Sequence, residues 1–366
     1  MMKEKLVMFV YGDITSDARV QRSAEALSSL YDVTVISTQF GKSLPNFKFN
    51  NKLVGNGFST CSYIRCLYEA IRYAKSIKPY IIYGHDFYSA PFLGYFLRKN
   101  SRKFKVVYDA HELIIPEPEY PLKGKAKIIN LLEGYAINNA DLVLCAKKER
   151  GEVMVDHYGL SVEPAEIKNI SQLSVNPDSL NAETKFALDA FFKKPGLTVV
   201  YAGAVMKERR IGEIARAVVN HPDKYKLLIV GEGDHLEEIK KITSQNRQLE
   251  SFFTGKLPYA TLGYILSKCD IGFIYYPNTT INNRLCASNK LYEYASIDLP
   301  ILANNNPTVQ KDVEKYDIGV VTDDFEQGLE LLSKRIAECK ANCKVFTAQN
   351  QWADEADKLR NVINQL

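Results

Sequence analysis

The sequence predicts an α/β protein made of two doubly wound units in series. Three observations carry this. Apolar runs that do not alternate in polarity recur along the chain, separated by amphipathic helical stretches, as in parallel strands covered on both faces. Glycines and charged residues gather just after these runs, where doubly wound sheets bind their ligands. The chain has 366 residues, which suits two domains at roughly 150 residues each.

In the first half the strand-like runs are 6–10, 33–36, 81–83, 106–108 and 142–145. In the second half they are 198–201, 227–230, 251–254, 271–274, 301–303 and 319–321. Between the first two lies a helix over 17–30, with Val20, Ala24 and Leu27 at helical spacing on one face. A polar stretch at 163–184, containing Pro164 and Pro177, marks the boundary between two Rossmann-like units. The tail 349–366 reads as a helix with Trp352, Ala356, Leu359 and Ile363 on one stripe. The expected organisation is therefore an N-terminal domain 1–168, a C-terminal domain 185–347 and a terminal helix 348–366.

Composition narrows the class. Hydrophobic residues make up 46% and charged residues 25%, ordinary for a globular protein. No apolar run approaches the roughly 20 residues of a membrane helix. The opening MMKEKLVMFVYGD has a short apolar run without a small-residue cleavage site, so it reads as a first strand and not a signal peptide. Seven cysteines, scattered and odd in number, point to a reducing cytoplasm and not to a disulfide framework. Cys339 and Cys343 are one helical turn apart, but no second pair completes a zinc site. Charge is uneven. Residues 1–150 carry 22 Lys/Arg against 14 Asp/Glu, and residues 151–366 carry 25 against 29. The excess concentrates in 51–105, with ten basic residues against two acidic. Such a patch suits nucleic acid, anionic lipid or an anionic substrate.

The candidate functional residues follow the strands. Gly12 and Asp13 end the first, and Asp17, Ala18 and Arg19 open the next helix with a carboxylate at its positive end. No GxGxxG is present there, so a nicotinamide-binding reading loses ground. His85-Asp86 and Asp109-Ala110-His111-Glu112 follow two further strands. Neither has the i, i+4 spacing of a helical metal site. In YAGAVMKERRIGEIARAV, Gly203 ends a strand and Lys207, Arg209 and Arg210 follow. Guanidinium groups there suit bidentate contact with a diphosphate. Gly231-Glu232-Gly233 and Gly255-Lys256-Leu257 end the next two strands. In SNKLYEYASIDLPILA, Ser288 is a helix cap before Asn289, Lys290 supplies a cation, and Glu293 supplies a carboxylate one turn on. Asp298 and Pro300 stop that helix before the next strand. Phosphate donors beside a diol acceptor suit a ribose diphosphate.

Taken in order, these motifs resemble the retaining GT-B glycosyltransferases of family four. The resemblance spans nearly the full chain and rests on about six motifs. It implies two Rossmann-like domains facing an interdomain cleft, with transfer of a sugar from a nucleoside diphosphate donor, UDP-linked, to an acceptor hydroxyl with retention. It implies His111 beside the reacting sugar and Arg210 on the leaving diphosphate as catalytic residues, with Arg209 and Lys207 as alternates to Arg210. Gly12, Arg209, Gly231, Lys256, Leu257, Ser288, Asn289, Lys290 and Glu293 would bind the donor, and Asp17, Arg19, His85 and Asp86 would lie on the acceptor side. No metal and no cofactor beyond the sugar nucleotide is implied. The partners implied are that donor and a saccharide or lipid-linked acceptor in bacterial polysaccharide or glycoconjugate synthesis, with no nucleic acid. The location implied is cytoplasmic, at the inner face of an anionic membrane. One position departs from the pattern. The first of the family's two glutamates would fall at Leu285, and only the second, Glu293, is present. A nucleotide-sugar epimerase on the same fold, which needs no acceptor, and a non-catalytic binding subunit are the other readings.

Overall fold

The computed structural model describes residues 3–15, 17–38, 47–55, 59–98 and 102–366. Lys99, counted in the basic surplus, lies outside them. The chain divides into two units. One is Met1–Asn169 with Ala353–Leu366, and the other is Ile170–Trp352.

The first unit is built on seven parallel strands. They are β1 (Lys5–Asp13), β2 (Asp32–Thr38), β3 (Asn50–Leu53), β4 (Ile81–His85), β5 (Lys105–Ala110), β6 (Leu142–Cys145) and β7 (Ala165–Glu166), in the order β3-β2-β1-β4-β5-β6-β7. The second unit has six: β8 (Leu197–Ala202), β9 (Tyr225–Val230), β10 (Ser251–Phe253), β11 (Ile271–Ile274), β12 (Ile301–Ala303) and β13 (Gly319–Val321), in the order β10-β9-β8-β11-β12-β13. Every pairing within the two sheets is parallel. Strand order reverses between β1 and β4, and again between β8 and β11, and such switch points open a crevice beyond the strand ends.

Burial explains which strands the sequence shows. Leu6, Val7, Met8 and Phe9 of β1 have no exposure at all, as a central strand with both faces covered requires. β3 and β7 were not expected. Both are edge strands, one reading Asn-Asn-Lys-Leu and half exposed, the other two residues long. An edge strand buries too little to need an apolar run.

Two boundaries differ from the expected ones. The second unit begins at Ile170 and not at 185, because Ile170 and Leu180 are part of its buried core. Its helix Ile336–Gln349 seats Cys343 and Phe346 in the same core, and Trp352 packs there too. Trp352 therefore leaves the stripe predicted for the tail. Ala356, Leu359 and Ile363 of the last helix, Trp352–Asn364, are buried in the first unit. There Glu355 accepts from the Lys168 amide at 2.8 Å, and Tyr31 donates to Asn364 at 3.2 Å. All seven cysteines are free thiols, six of them buried. Among the described residues no helix is long and apolar enough to cross a membrane.

Candidate functional site

In the second unit the residues gather where β8, β11 and β12 end. Ser288 caps the helix Asn289–Ala295, its hydroxyl accepting from the Leu291 amide at 3.3 Å. The helix is only seven residues long, so its dipole is weak and the charge comes from side chains. Glu293 is 8% exposed. One of its carboxylate oxygens, Oε1, accepts from the Tyr259 hydroxyl at 2.9 Å, and that hydroxyl lies 2.5 Å from Ser171 Oγ.

Lys290 packs its ammonium over Gly203 and 5.6 Å from the centre of the Tyr201 ring. Gly203 has φ +144°, and a Cβ there would stand 2.9 Å from Lys290 Nζ. Burial lowers the Lys290 pKa. Glu293 works against this and Arg209 adds to it. Arg209 donates to the Tyr275 carbonyl at 3.2 Å and stacks 4.3 Å from the Tyr276 ring.

Arg210 turns elsewhere. Its backbone is left-handed at φ +43°, and its guanidinium pairs with Glu213 at 3.2 Å and lies 5.7 Å from the Tyr275 ring. It lines a cavity of about 880 Å³ with Lys207, His235, Glu238, Asn283 and Asp323. Two neighbouring arginines thus serve different surroundings, and Arg209 is the one beside Lys290. Gly231 has a reason of its own to be glycine. A Cβ would come within 2.0 Å of the Gly203 carbonyl oxygen, so the two loop backbones could not pass. Lys256 is exposed, and half-buried Leu257 packs on the core.

Leu285 follows the short helix Ile281–Arg284. The asparagines around it are mostly committed to the loop. Asn283 donates to Thr279 Oγ1 at 3.1 Å, and Asn306 donates to the Asn283 carbonyl at 2.9 Å. Asn289 Oδ1 is buried with no hydrogen-bond partner.

In the first unit the residues gather beyond β1, β4 and β5. Gly12 lies near the end of β1, with open space where a Cβ would sit beyond a 3.8 Å contact to Val10. Asp17 caps the helix Ala18–Leu27, accepting from the Val20 amide at 3.0 Å. Arg19, expected on the acceptor side, is buried. It reaches Asp109 with Nη2 at 2.6 Å and Nε at 3.2 Å, and donates to the Ile167 carbonyl at 2.9 Å. Tyr83 donates to the same carboxylate at 3.0 Å. His85 Nδ1 and His111 Nε2 are 3.1 Å apart, and lie 3.5 and 3.6 Å from Asp109 Oδ2.

These contacts set the protonation states. Burial would raise the Asp109 pKa, but Arg19 and the two histidines hold it well below the usual carboxylate range. Burial would lower His111, and Asp109 outweighs it, so His111 is raised. In His85 burial wins and the pKa is lowered. Asp86 sits at φ +62° and accepts from the Glu112 amide at 3.2 Å, and burial pushes its pKa up to about 6. The sequence reading missed Tyr83, Arg150 and Tyr259, and assigned no role to Asp109. Arg150 donates to the His111 carbonyl. Only Asp109 had a signal, its place in the same motif as His111.

No protein-family model matches the sequence, and no curated protein matches it. Solved structures do. Sucrose-phosphate synthase from Thermosynechococcus elongatus matches 99% of this chain and 99% of its own, with TM-score 0.73 at 14% identity. Anabaena HepE in complex with UDP and glucose matches 99% and 100%, with TM-score 0.75 at 12% identity. WaaG, a glycosyltransferase involved in lipopolysaccharide biosynthesis, matches 98% and 99%, with TM-score 0.69 at 11% identity. Identities this low are likenesses of fold, and the fold they share with this chain is GT-B, two parallel α/β sheets in series.

Proposed function

We propose that this protein is a glycosyltransferase that moves a sugar from a nucleoside diphosphate sugar, UDP-linked, to an acceptor hydroxyl. One observation carries the reading beyond the fold. Lys290 and Arg209 are neighbouring cations, Lys290 desolvated enough to lower its pKa, and among the described residues neither has a carboxylate at ion-pairing distance. Two such groups gain most from an anion supplied by a ligand, and a diphosphate carries charge enough for both. Glu293 stands one turn along the same helix with Oε2 left over from the Tyr259 bond. A carboxylate oxygen so placed accepts from a ribose diol. Lys256 and Leu257 are assigned to the base, through their backbone.

The chemistry follows from where charge develops. As the glycosidic bond to phosphate breaks, negative charge grows on the diphosphate, and cations fixed in advance stabilise that charge more than the ground state. We assign this role to Lys290 and Arg209 and place Arg210 outside it. No metal is needed for it. The retaining course implied by the resemblance has the acceptor enter on the face the diphosphate leaves, its proton going to a donor phosphate oxygen. His111 is assigned a hydrogen bond to the sugar. Asp17 and Asp86 are kept on the acceptor side, and Arg19 and His85 act there through Asp109.

For the acceptor we favour a lipid-linked or saccharide hydroxyl presented at an anionic membrane. The helix Lys125–Asn139 exposes Ile128, Leu131, Leu132 and Tyr135 at i, i+3, i+4, i+7, with exposed Lys123, Lys125 and Lys127 at its start. An apolar stripe flanked by lysines suits a helix lying in the headgroup region. This helix, and not the 51–105 surplus as a whole, is the surface we assign to the membrane.

The test is a thermal-shift panel of UDP, GDP and ADP sugars. A ligand at 100 times its Kd adds about 2.7 kcal/mol, and Lys290→Ala should erase the shift. If no nucleotide sugar stabilises the protein, the reading fails.

A further inference from the structure

We propose that His85, Asp109 and His111 form a binding site for a zinc-class transition-metal ion. The atoms His85 Nδ1, His111 Nε2 and Asp109 Oδ2 make a triangle with edges of 3.1, 3.5 and 3.6 Å. The centre of that triangle lies about 2 Å from all three atoms, and zinc binds imidazole nitrogen and carboxylate oxygen at about 2.0–2.1 Å. With bonds of that length, ligand atoms in a tetrahedral site are about 3.3–3.4 Å apart, and on an octahedral face about 3 Å. The observed edges average nearer the tetrahedron. Two imidazoles and one carboxylate are also a donor set that suits zinc.

The surroundings fit an ion. Arg19 grips Asp109 Oδ1 with Nη2 at 2.6 Å, and its Nε at 3.2 Å and the Tyr83 hydroxyl at 3.0 Å donate to Oδ2, so the carboxylate is oriented from outside. Charge favours a cation. Asp17 lies near both rings, Asp86 near His111, and Glu112 4.0 Å from Arg150. With Asp109 these are four carboxylates, faced by the two guanidinium groups of Arg19 and Arg150. The remaining ring nitrogen of His85, Nε2, is buried without a partner, so that ring's polar contacts all lie on the triangle side. His85 and Asp109 are closed to solvent while the His111 side chain is 15% exposed. An ion would enter past His111 and keep its fourth position for water there.

The functional consequence rests on the glycosyltransferase reading. An ion here occupies His111 Nε2, the ring assigned to the donor sugar. Zinc should therefore inhibit transfer reversibly, and a chelator should restore it.

The site itself is tested without substrate. Chelator-stripped protein is titrated with Co2+, whose visible absorption separates four-coordinate from six-coordinate sites, and Zn2+ is then used to displace it. The expected result is one ion per chain with four-coordinate absorption, lost to Zn2+. Affinity should fall at least about tenfold in His111→Gln and in His85→Gln, since even outer partners of metal ligands are worth that much. His111→Gln decides alone if His85→Gln does not fold. No uptake, a six-coordinate spectrum, or uptake unchanged in the folded variants overturns the proposal. Because the readout is ion bound to the free protein, a negative result leaves the nucleotide-sugar reading standing. A protein that binds Zn2+ here but no nucleotide sugar would separate the two the other way.

Discussion

Glu293→Gln isolates the charge of one carboxylate. The side chain is 8% exposed and Oε1 is held by Tyr259 at 2.9 Å. Glutamine keeps the volume and can still accept from Tyr259, so the fold should be undisturbed. What changes is the bond left for the ribose diol at the second oxygen. A hydrogen bond to a charged group is worth about 1.5–3 kcal/mol and a neutral one about 0.5–1.5. The difference, about 1–1.5 kcal/mol, is roughly tenfold in Kd. Calorimetry with the preferred UDP sugar should show that tenfold loss, with the melting midpoint unchanged. Glu293→Ala removes both bonds and should cost ten- to hundredfold, at about 1.4 kcal/mol per tenfold. Tyr259→Phe should cost less than either, since it frees the carboxylate without discharging it. If Glu293→Gln binds the donor like the wild type, no donor hydroxyl meets that carboxylate and the assignment is wrong.

Four further outcomes are expected. Arg209→Ala should lower turnover at saturating donor by about a hundredfold, the size of losing one preorganised charge-stabilising group, and Arg210→Ala should leave it near wild type; the reverse pattern in steady-state kinetics would restore Arg210 to the diphosphate. Glu133, buried under the hydroxyls of Tyr108 and Tyr158, has its pKa raised by burial from 4.5 to about 7. Its folded form prefers the proton, so the stability this provides is whole below pH 4.5 and gone by about pH 7; Glu133→Gln should gain on the wild type by up to about 3 kcal/mol between those limits in urea melts, and parallel stability curves would show that Glu133 stays ionised. Leu131→Asp should abolish co-sedimentation with anionic vesicles while donor binding is kept; unchanged sedimentation would free the helix Lys125–Asn139 of that role. Asn289 has a buried acceptor without a partner, so Asn289→Ala should weaken the parent hexose donor more than its deoxy analogue, and equal losses across a donor panel would remove Asn289 from the sugar.

The strands were legible because burial on both faces leaves no choice of residue. Phe273 and Ile274 in β11, or Val199 and Val200 in β8, have no exposure, and their apolar runs are the direct record of that. β3 and β7 left no record because an edge strand can be Asn-Asn-Lys-Leu. In the site, the local pieces were legible. Ser288 and Asp17 cap the helices that follow them, because a cap is a contact over three residues. The long-range pieces were not. Nothing in the order of residues says that Arg19 is buried on Asp109, ninety positions away. Nor does it say that Arg209 and Arg210, adjacent in sequence, part company. That follows from the left-handed backbone at Arg210, which ends one short helical turn and starts the next helix. Gly231 carries a second reason to be glycine that the sequence does not show. It reads as a ligand-contacting turn, and its positive φ of +142° and the close approach of the Gly203 backbone both require glycine there.

The two units leave opposite charges uncompensated. In the second, Lys290 and Arg209 stand together while the nearest carboxylate, Glu293, is bonded to Tyr259. In the first, Asp17, Asp86 and Asp109 surround two histidines, and the Arg19 guanidinium pairs with Asp109. Holding like charges side by side in a partly desolvated site costs free energy in the unliganded protein. A fold selected for stability alone would place apolar residues there, as it does at Gly272, where a Cβ would meet the Tyr294 ring at 2.4 Å. Under the proposed function, the cationic pair is half of an interaction whose other half arrives with the ligand. On this view the unliganded protein carries strain that a diphosphate relieves. Removing one cation should then raise the stability of the free protein while it lowers donor affinity. Lys290→Met tests both at once, by a melt without ligand and a titration with it. A variant that is less stable and binds equally well would mean that Lys290 is a structural residue.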